Sequence, residues 1–116
     1  MNNNQHLGKT GEKLSVDFLI GKGFKILNRN WRYKKAEIDI IVSKKDILIF
    51  IEVKTRKSEY FSSPEESITP KKIDLYQEAA EAYLEQHKLE NEVRFDVISI
   101  IHTENKTKIE HFINAF

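Results

Sequence analysis

Three residues near the middle of this chain have the types and spacing to do chemistry together: Asp39, Glu52 and Lys54. Asp39 lies in the run Glu37-Ile38-Asp39-Ile40-Ile41-Val42, and the other two end the run Ile47-Leu48-Ile49-Phe50-Ile51-Glu52-Val53-Lys54. Both runs alternate and are rich in β-branched residues, which predicts strands at 37–42 and 47–54. Residues 43–46, Ser-Lys-Lys-Asp, join them as a hairpin without an Asn-Gly turn signal. Closing the chain there is expected to pair 42 with 47, 40 with 49, 39 with 50 and 37 with 52. Glu37, Asp39 and Ile41 then share a face with Leu48, Phe50, Glu52 and Lys54. In that register Asp39 is diagonal to Glu52, at a spacing of ~7–8 Å, which lets two carboxylates converge on one hard divalent ion. Lys54 reaches the same place. Carboxylates that hold Mg²⁺ or Mn²⁺, with a lysine to stabilise developing charge, are what phosphodiester hydrolysis requires. The same residues also read as an exposed hairpin face carrying weak surface pairs. Against that, Leu48 and Phe50 call for cover, and Glu37 directly opposite Glu52 would repel without a cation or proton between them.

The elements that must position these groups follow from periodicity. A first helix is expected over residues 8–20, with Thr10 as N-cap and Gly21-Lys22-Gly23 as its stop. Leu7, Leu14 and Phe18, widened by Val16, Leu19 and Ile20, form its apolar face, and Glu12 lies at the flank of that face. Residues 24–28 read as a short strand. A second helix is expected from Thr69, an N-cap followed by Pro70, with Ile73, Tyr76, Ala80, Tyr83 and His87 on one packing face. Strands at 93–101 and 109–113 complete an α-β-β-β-α-β order with a terminal strand, an α/β fold around a central mixed sheet.

Composition narrows the function classes. At 116 residues, the chain fits one domain over 1–116, with about the first six residues expected to fray. With 40% apolar and 32% charged residues it reads as a soluble globular protein. The absence of Cys excludes disulfides, thiol nucleophiles and Cys-based zinc or iron–sulfur sites. No apolar run approaches membrane-spanning length and no signal peptide is readable, so the expectation is a cytoplasmic protein without membrane contact. The four His have no metal-ligand spacing and read as surface or helix-end residues.

The net charge of +1 hides an asymmetry: residues 22–58 hold eleven Lys/Arg against four Asp/Glu, and residues 59–92 hold three against nine. Arg29, Arg32, Lys34 and Lys35 precede the first acidic strand and Arg56 and Lys57 follow the second, so they flank the proposed site and are placed to grip phosphates. A Lys-rich solvated strand edge is the plainer alternative. Trp31 and Tyr33 are interleaved for stacking on bases, although a lone Trp more often packs a loop on the core. Lys71 and Lys72 oppose the dipole of the second helix at ~0.3–1 kcal/mol each, which a phosphate contact or plain solvation would explain. Residues 60–69 have the length of a substrate-facing loop. Arg94 and Asp96 share a strand face and are expected to pair.

Asp39 followed by Glu52-Val53-Lys54 resembles the D…(D/E)-x-K signature of the restriction-endonuclease-like superfamily. The wider pattern is more specific. Gly11-Glu12, Asn30-Trp31-Arg32, Glu37-Ile38-Asp39, residues 50–56, Pro64-Glu65-Glu66-Ser67, Lys71-Lys72 and Arg94-Phe95-Asp96-Val97 together resemble the YraN-like family over nearly the whole chain. That family is grouped by similarity with Holliday-junction resolvases and tRNA-endonuclease-like domains. The resemblance implies a restriction-endonuclease-like core and a Mg²⁺- or Mn²⁺-dependent nuclease acting on DNA more than RNA, branched or junction DNA included. It implies Asp39, Glu52 and Glu12 as metal-holding acids, Lys54 as catalytic lysine and Glu37 as a supporting acid or a partner of Arg32 or Arg56. The Val53 carbonyl is a further oxygen donor on this reading, and a two-fold homodimer is implied for symmetric cutting. The chain departs from the pattern at Ala36, where the family usually has Gly; a positive φ there would strain Ala. Two other readings stand beside the enzyme. One is a nucleic-acid-binding module that cleaves nothing, and the other is an interaction subunit that uses the acidic second helix.

Overall fold

The computed structural model describes residues 3–57 and 68–116, with side chains from Leu7 onward. Its elements are α1 (Asn3–Gly21), β1 (Lys25–Tyr33), β2 (Ala36–Lys44), β3 (Ile47–Arg56), α2 (Pro70–His87), β4 (Glu92–His102) and β5 (Thr107–Phe112). The five strands form one sheet in the order β1-β2-β3-β4-β5, with β3 and β4 parallel and the other neighbours antiparallel. The parallel pair requires a crossover, and α2 is that crossover. The expected mixed sheet and element order are what the chain forms. Among the described residues no helix is long and apolar enough to cross a membrane.

Helix α1 begins at Asn3, five residues before the expected start, so Thr10 lies inside the helix and caps nothing. Its end follows the glycine signal. Gly23 turns the chain with φ 90°, and Phe24 N–H donates back to Leu19 O at 3.0 Å. Thr69 caps α2 as expected, its hydroxyl accepting from Lys72 N–H at 3.1 Å, with Pro70 in the first turn.

The hairpin register differs from the expected one. The turn uses two residues, Lys45 and Asp46, both left-handed at φ 50° and 67°, so Lys44 pairs with Ile47 and Ile40 with Ile51. Each pair is displaced by two residues from the expectation, which preserves the faces of β3 and brings Asp39 further along toward Glu52. Two apolar layers result. Ile38, Ile41, Leu48 and Phe50 pack with Tyr76, Ala79, Ala80 and Tyr83 of α2, whereas Ile40, Val42, Ile49, Ile51, Ile98 and Ile100 pack with Leu19 of α1. Ala36 has an ordinary strand φ and is buried in the α2 layer, so Ala is accepted there without strain.

Strict alternation fails at one place in β2. Ile38 faces α2 and Ile40 faces α1, so the strand changes face across Asp39. The cause lies on the neighbouring strand, where Asn30 is left-handed at φ 52° and neither it nor Asp39 joins the ladder between Arg29↔Ile40 and Trp31↔Ile38. Glu37 therefore does not share a face with Glu52, and is paired across the strands with Arg32 instead.

On the α1 side, Asp96 is fully buried and its carboxylate is satisfied by Arg94 through two bonds of 2.9 Å, by His111 Nε2 at 2.7 Å and by Asn114 N–H at 2.9 Å. Burial works to raise its pKa, but these partners together hold it below the usual carboxylate range. His111 is thus a packed residue and not a surface one, with Phe18 and Phe24 edge-on to its ring.

Helix α1 lies close against β3 at Gly11. A Cβ there would run into the Thr55 hydroxyl and lie 2.9 Å from Thr55 Cβ, so rotating the threonine cannot clear it. Replacing a helix-interior Gly by Ala ordinarily stabilises by ~0.5–1 kcal/mol. Gly11→Ala is expected to reverse that sign and lose about 1–3 kcal/mol in denaturant unfolding, through overpacking. Adding Thr55→Ala should recover only part of the loss, because the Cβ contact remains.

Candidate functional site

The site forms where β3 outruns β2. The last ladder pair is Ile40↔Ile51, so the next inward N–H of β3, that of Val53, has no strand partner on that side. Asp39, turned out of alternation, supplies one: Val53 N–H donates to Asp39 Oδ2 at 2.7 Å. The carboxylate thus ends the ladder and is held beside Glu52. Glu52 faces α2, is 9% exposed, and accepts from Lys72 Nζ at 2.9 Å through Oε1. Its other oxygen, Oε2, is buried beside the Tyr76 phenol and makes no well-formed hydrogen bond among the described residues.

A cleft of about 360 Å³ opens over these groups, lined by Glu12, Asp39, Glu52, Val53, Lys54 and Thr55 together with Leu7 and Gly8. Glu12 enters from α1, where the Gly11–Thr55 approach fixes the height of the helix. Lys54 lines the cleft with no ion pair or hydrogen bond among the described residues. Glu37 does not line it; it pairs with Arg32 at 3.2 Å in a more exposed position. No three His, Cys, Asp or Glu side chains among the described residues converge as a metal-holding group.

Enclosure sets the electrostatics. Burial, more than anything else, pushes the Asp39 carboxyl up to about 7, and the Glu52 and Glu12 charges add to it. The Val53 N–H and the Lys72 ammonium pull the other way. Glu12 is also raised, first by burial and then by Glu37, against Arg29 and an Asn30 side-chain hydrogen bond. Burial and the Glu52 and Asp39 carboxylates drive the Tyr76 phenol upward; its hydroxyl is buried without a well-formed hydrogen bond.

The expected phosphate-gripping residues divide. Arg32 is paired with Glu37, Lys34 with Glu78 of α2 at 3.3 Å, and Lys72 with Glu52, while Arg56 Nη2 donates to Ser99 Oγ at 3.1 Å. Lys35 and Lys71 are exposed and unpaired among the described residues. Trp31 is a packing residue, stacked on Tyr33 and edge-on to Tyr83 at 5.2 Å. Residues 60–67 of the expected substrate-facing loop, with the Pro64-Glu65-Glu66-Ser67 motif, lie outside the described residues, and the loop's last residue, Thr69, is the N-cap of α2. Sequence reasoning missed Lys72 as the partner of Glu52 and Tyr76 as its neighbour. The one signal was the lysine placed against the helix dipole. Asn30 was the signal for the face change, being a residue type that tolerates φ > 0 in mid-strand.

The raised Asp39 makes stability fall with pH in a defined window. Unfolded, Asp39 ionises near pH 4; folded, near 7, so the native state holds the extra proton between the two and loses that advantage as pH rises. Asp39→Asn keeps an oxygen for Val53 N–H and removes the titration. Denaturant unfolding at about pH 5 and about pH 8 should show the variant gaining on the parent, by on the order of 3 kcal/mol at the higher pH. A difference that does not change with pH would refute an enclosed carboxyl.

Comparison with known sequences shows the relationship directly. A family model described as "Uncharacterised protein family UPF0102" matches residues 11–100, from the first residue of the Gly11-Glu12 pair into β4. The UPF0102 protein of Flavobacterium psychrophilum is 49% identical over 110 residues, covering 95% of this chain and 92% of the relative. That of Syntrophomonas wolfei is 46% identical over 114 residues, covering 97% and 99%. That of Thermodesulfovibrio yellowstonii is 46% identical over 110 residues, covering 95% of each. With relatives matched along nearly their full length, this chain belongs to the UPF0102, or YraN-like, family.

Proposed function

We propose that this protein is a divalent-metal-dependent nuclease of restriction-endonuclease-like type that hydrolyses phosphodiester bonds of DNA, branched DNA included. The observation that carries the reading is the end of β3, where Asp39, Glu52, Glu12 and an unpaired Lys54 line one cleft and Glu52 Oε2 is buried without a well-formed hydrogen bond. The donor set suits Mg²⁺ or Mn²⁺: hard carboxylate oxygens, one of them poorly satisfied where water is scarce. Asp39 and Glu52 would hold the ion, with Glu12 facing them from α1 and the Val53 carbonyl as a further oxygen donor. When bound, such an ion supplies charge neutralisation and a more acidic water. Lys54 would donate to a phosphate oxygen as charge develops there. Exposed Lys35 and Lys71 would contact flanking phosphates. A two-fold pair of chains would present two such sites to opposite strands. The Cys-free composition suits a reducing, cytoplasmic setting.

A second reading has its own observation. Lys35 and Lys71 are exposed and unpaired among the described residues, which suits a nucleic-acid-binding module without cleavage. One experiment separates the two. Labelled linear, flapped and four-way-junction DNA is incubated with Mg²⁺, Mn²⁺ or chelator and the parent, Asp39→Ala or Lys54→Ala protein, purified identically. Metal-dependent cutting that drops by about 10²-fold or more in both variants is the expected result. Salt-sensitive binding without cutting would establish the module, and absence of both would overturn the nucleic-acid reading.

A further inference from the structure

The cleft is lined by three acids, and one of them, Glu52, is met by a cation from the start of the crossover helix. Lys72 sits in the first turn of α2, its backbone N–H fixed on the Thr69 hydroxyl at 3.1 Å and its ammonium 2.9 Å from Glu52 Oε1. Its side chain is 36% exposed against 12% for Glu52, so it lies at the rim with the carboxylate beneath it. Its charge acts on Asp39 as well. A lysine in the first helical turn is opposed by the dipole, and the enclosed carboxylate is what offsets that placement. Lys54 has no such partner, so the two lysines stand in different electrostatic situations although both are near Glu52.

We propose that Lys72 is the resident counter-cation of this site, holding Glu52 in the ion-free protein and competing with a divalent ion for the same carboxylate. The proposal rests on the metal-site reading above. An ion taking Glu52 Oε2 lies within one carboxylate's width of the ammonium and is repelled by it, while an ion taking both oxygens must displace it. In either geometry Lys72 weakens ion binding, and it keeps the acids from facing one another bare when no ion is present.

Mn²⁺ binding to the full chain, followed by loss of the free-ion electron paramagnetic resonance signal, tests this. Lys72→Met keeps the aliphatic stem without the charge, and is expected to bind Mn²⁺ about tenfold more tightly than the parent, one unit on the logarithmic affinity scale. Lys72→Gln keeps a hydrogen-bond donor for Glu52 and should also tighten binding, which guards against a Met variant that folds poorly. Lys25→Met, a charge-matched change at the far end of β1, should match the parent. Asp39→Asn should weaken binding. Equal or weaker Mn²⁺ binding in both Lys72 variants, with a parent that binds, overturns the competition and makes Lys72 an orienting residue. If no protein binds Mn²⁺, including the parent, the metal-site reading falls and this proposal falls with it.

Discussion

Two carboxylates enclosed at the end of an apolar ladder need partners that water no longer provides. Each partner for Asp39 and Glu52 comes from a different element. The Val53 N–H is offered by β3 because β2 stops pairing two residues earlier, at Ile51, and the Lys72 ammonium is delivered by the capped first turn of α2. Glu12 is brought over the same cleft by α1, which can descend that far only because Gly11 has no side chain to meet Thr55. The sheet register, one helix cap and one close helix approach are therefore constraints on the same small cleft. A change in any of them moves a charge relative to another charge in a poorly solvated place, where displacement matters more than at the surface.

The uneven charge distribution along the chain is matched in part within the fold. The basic stretch and the acidic stretch meet through Lys34 and Glu78, and in the reverse sense Lys72 returns from the acidic stretch to Glu52 in the basic one. Arg32 is matched within its own hairpin by Glu37. What is left over for a polyanion is smaller than composition suggests, and Lys35 and Lys71 are its clearest members.

Much of this was legible in the sequence, for local reasons. The Gly21-Lys22-Gly23 stop and the Thr69-Pro70 start are short-range signals that appear where expected, whereas the short strand expected over 24–28 runs on to Tyr33 in β1. The β2–β3 hairpin was read two residues out of register, yet the error was even, so the residues of β3 kept their faces. The Glu37 assignment failed because alternation assumes an unbroken pleat, and the left-handed Asn30 opposite Asp39 breaks it. The early start of α1 was hidden by a polar Asn-rich segment without amphipathic pattern. The Lys72–Glu52 contact joins residues twenty apart across a crossover, and no periodicity carries that information.

The two-residue turn at Lys45-Asp46 also bears on the order in which the chain assembles. Strands β1, β2 and β3 are neighbours in sequence and close with small loop-entropy cost, whereas β3 meets β4 only after the whole crossover has been gathered in. Asp39 and Glu52 belong to the local part, and Lys72 to the crossover. The pairing of Glu52 with Lys72 therefore belongs to the non-local part of the fold and not to the hairpin that sets the two acids side by side.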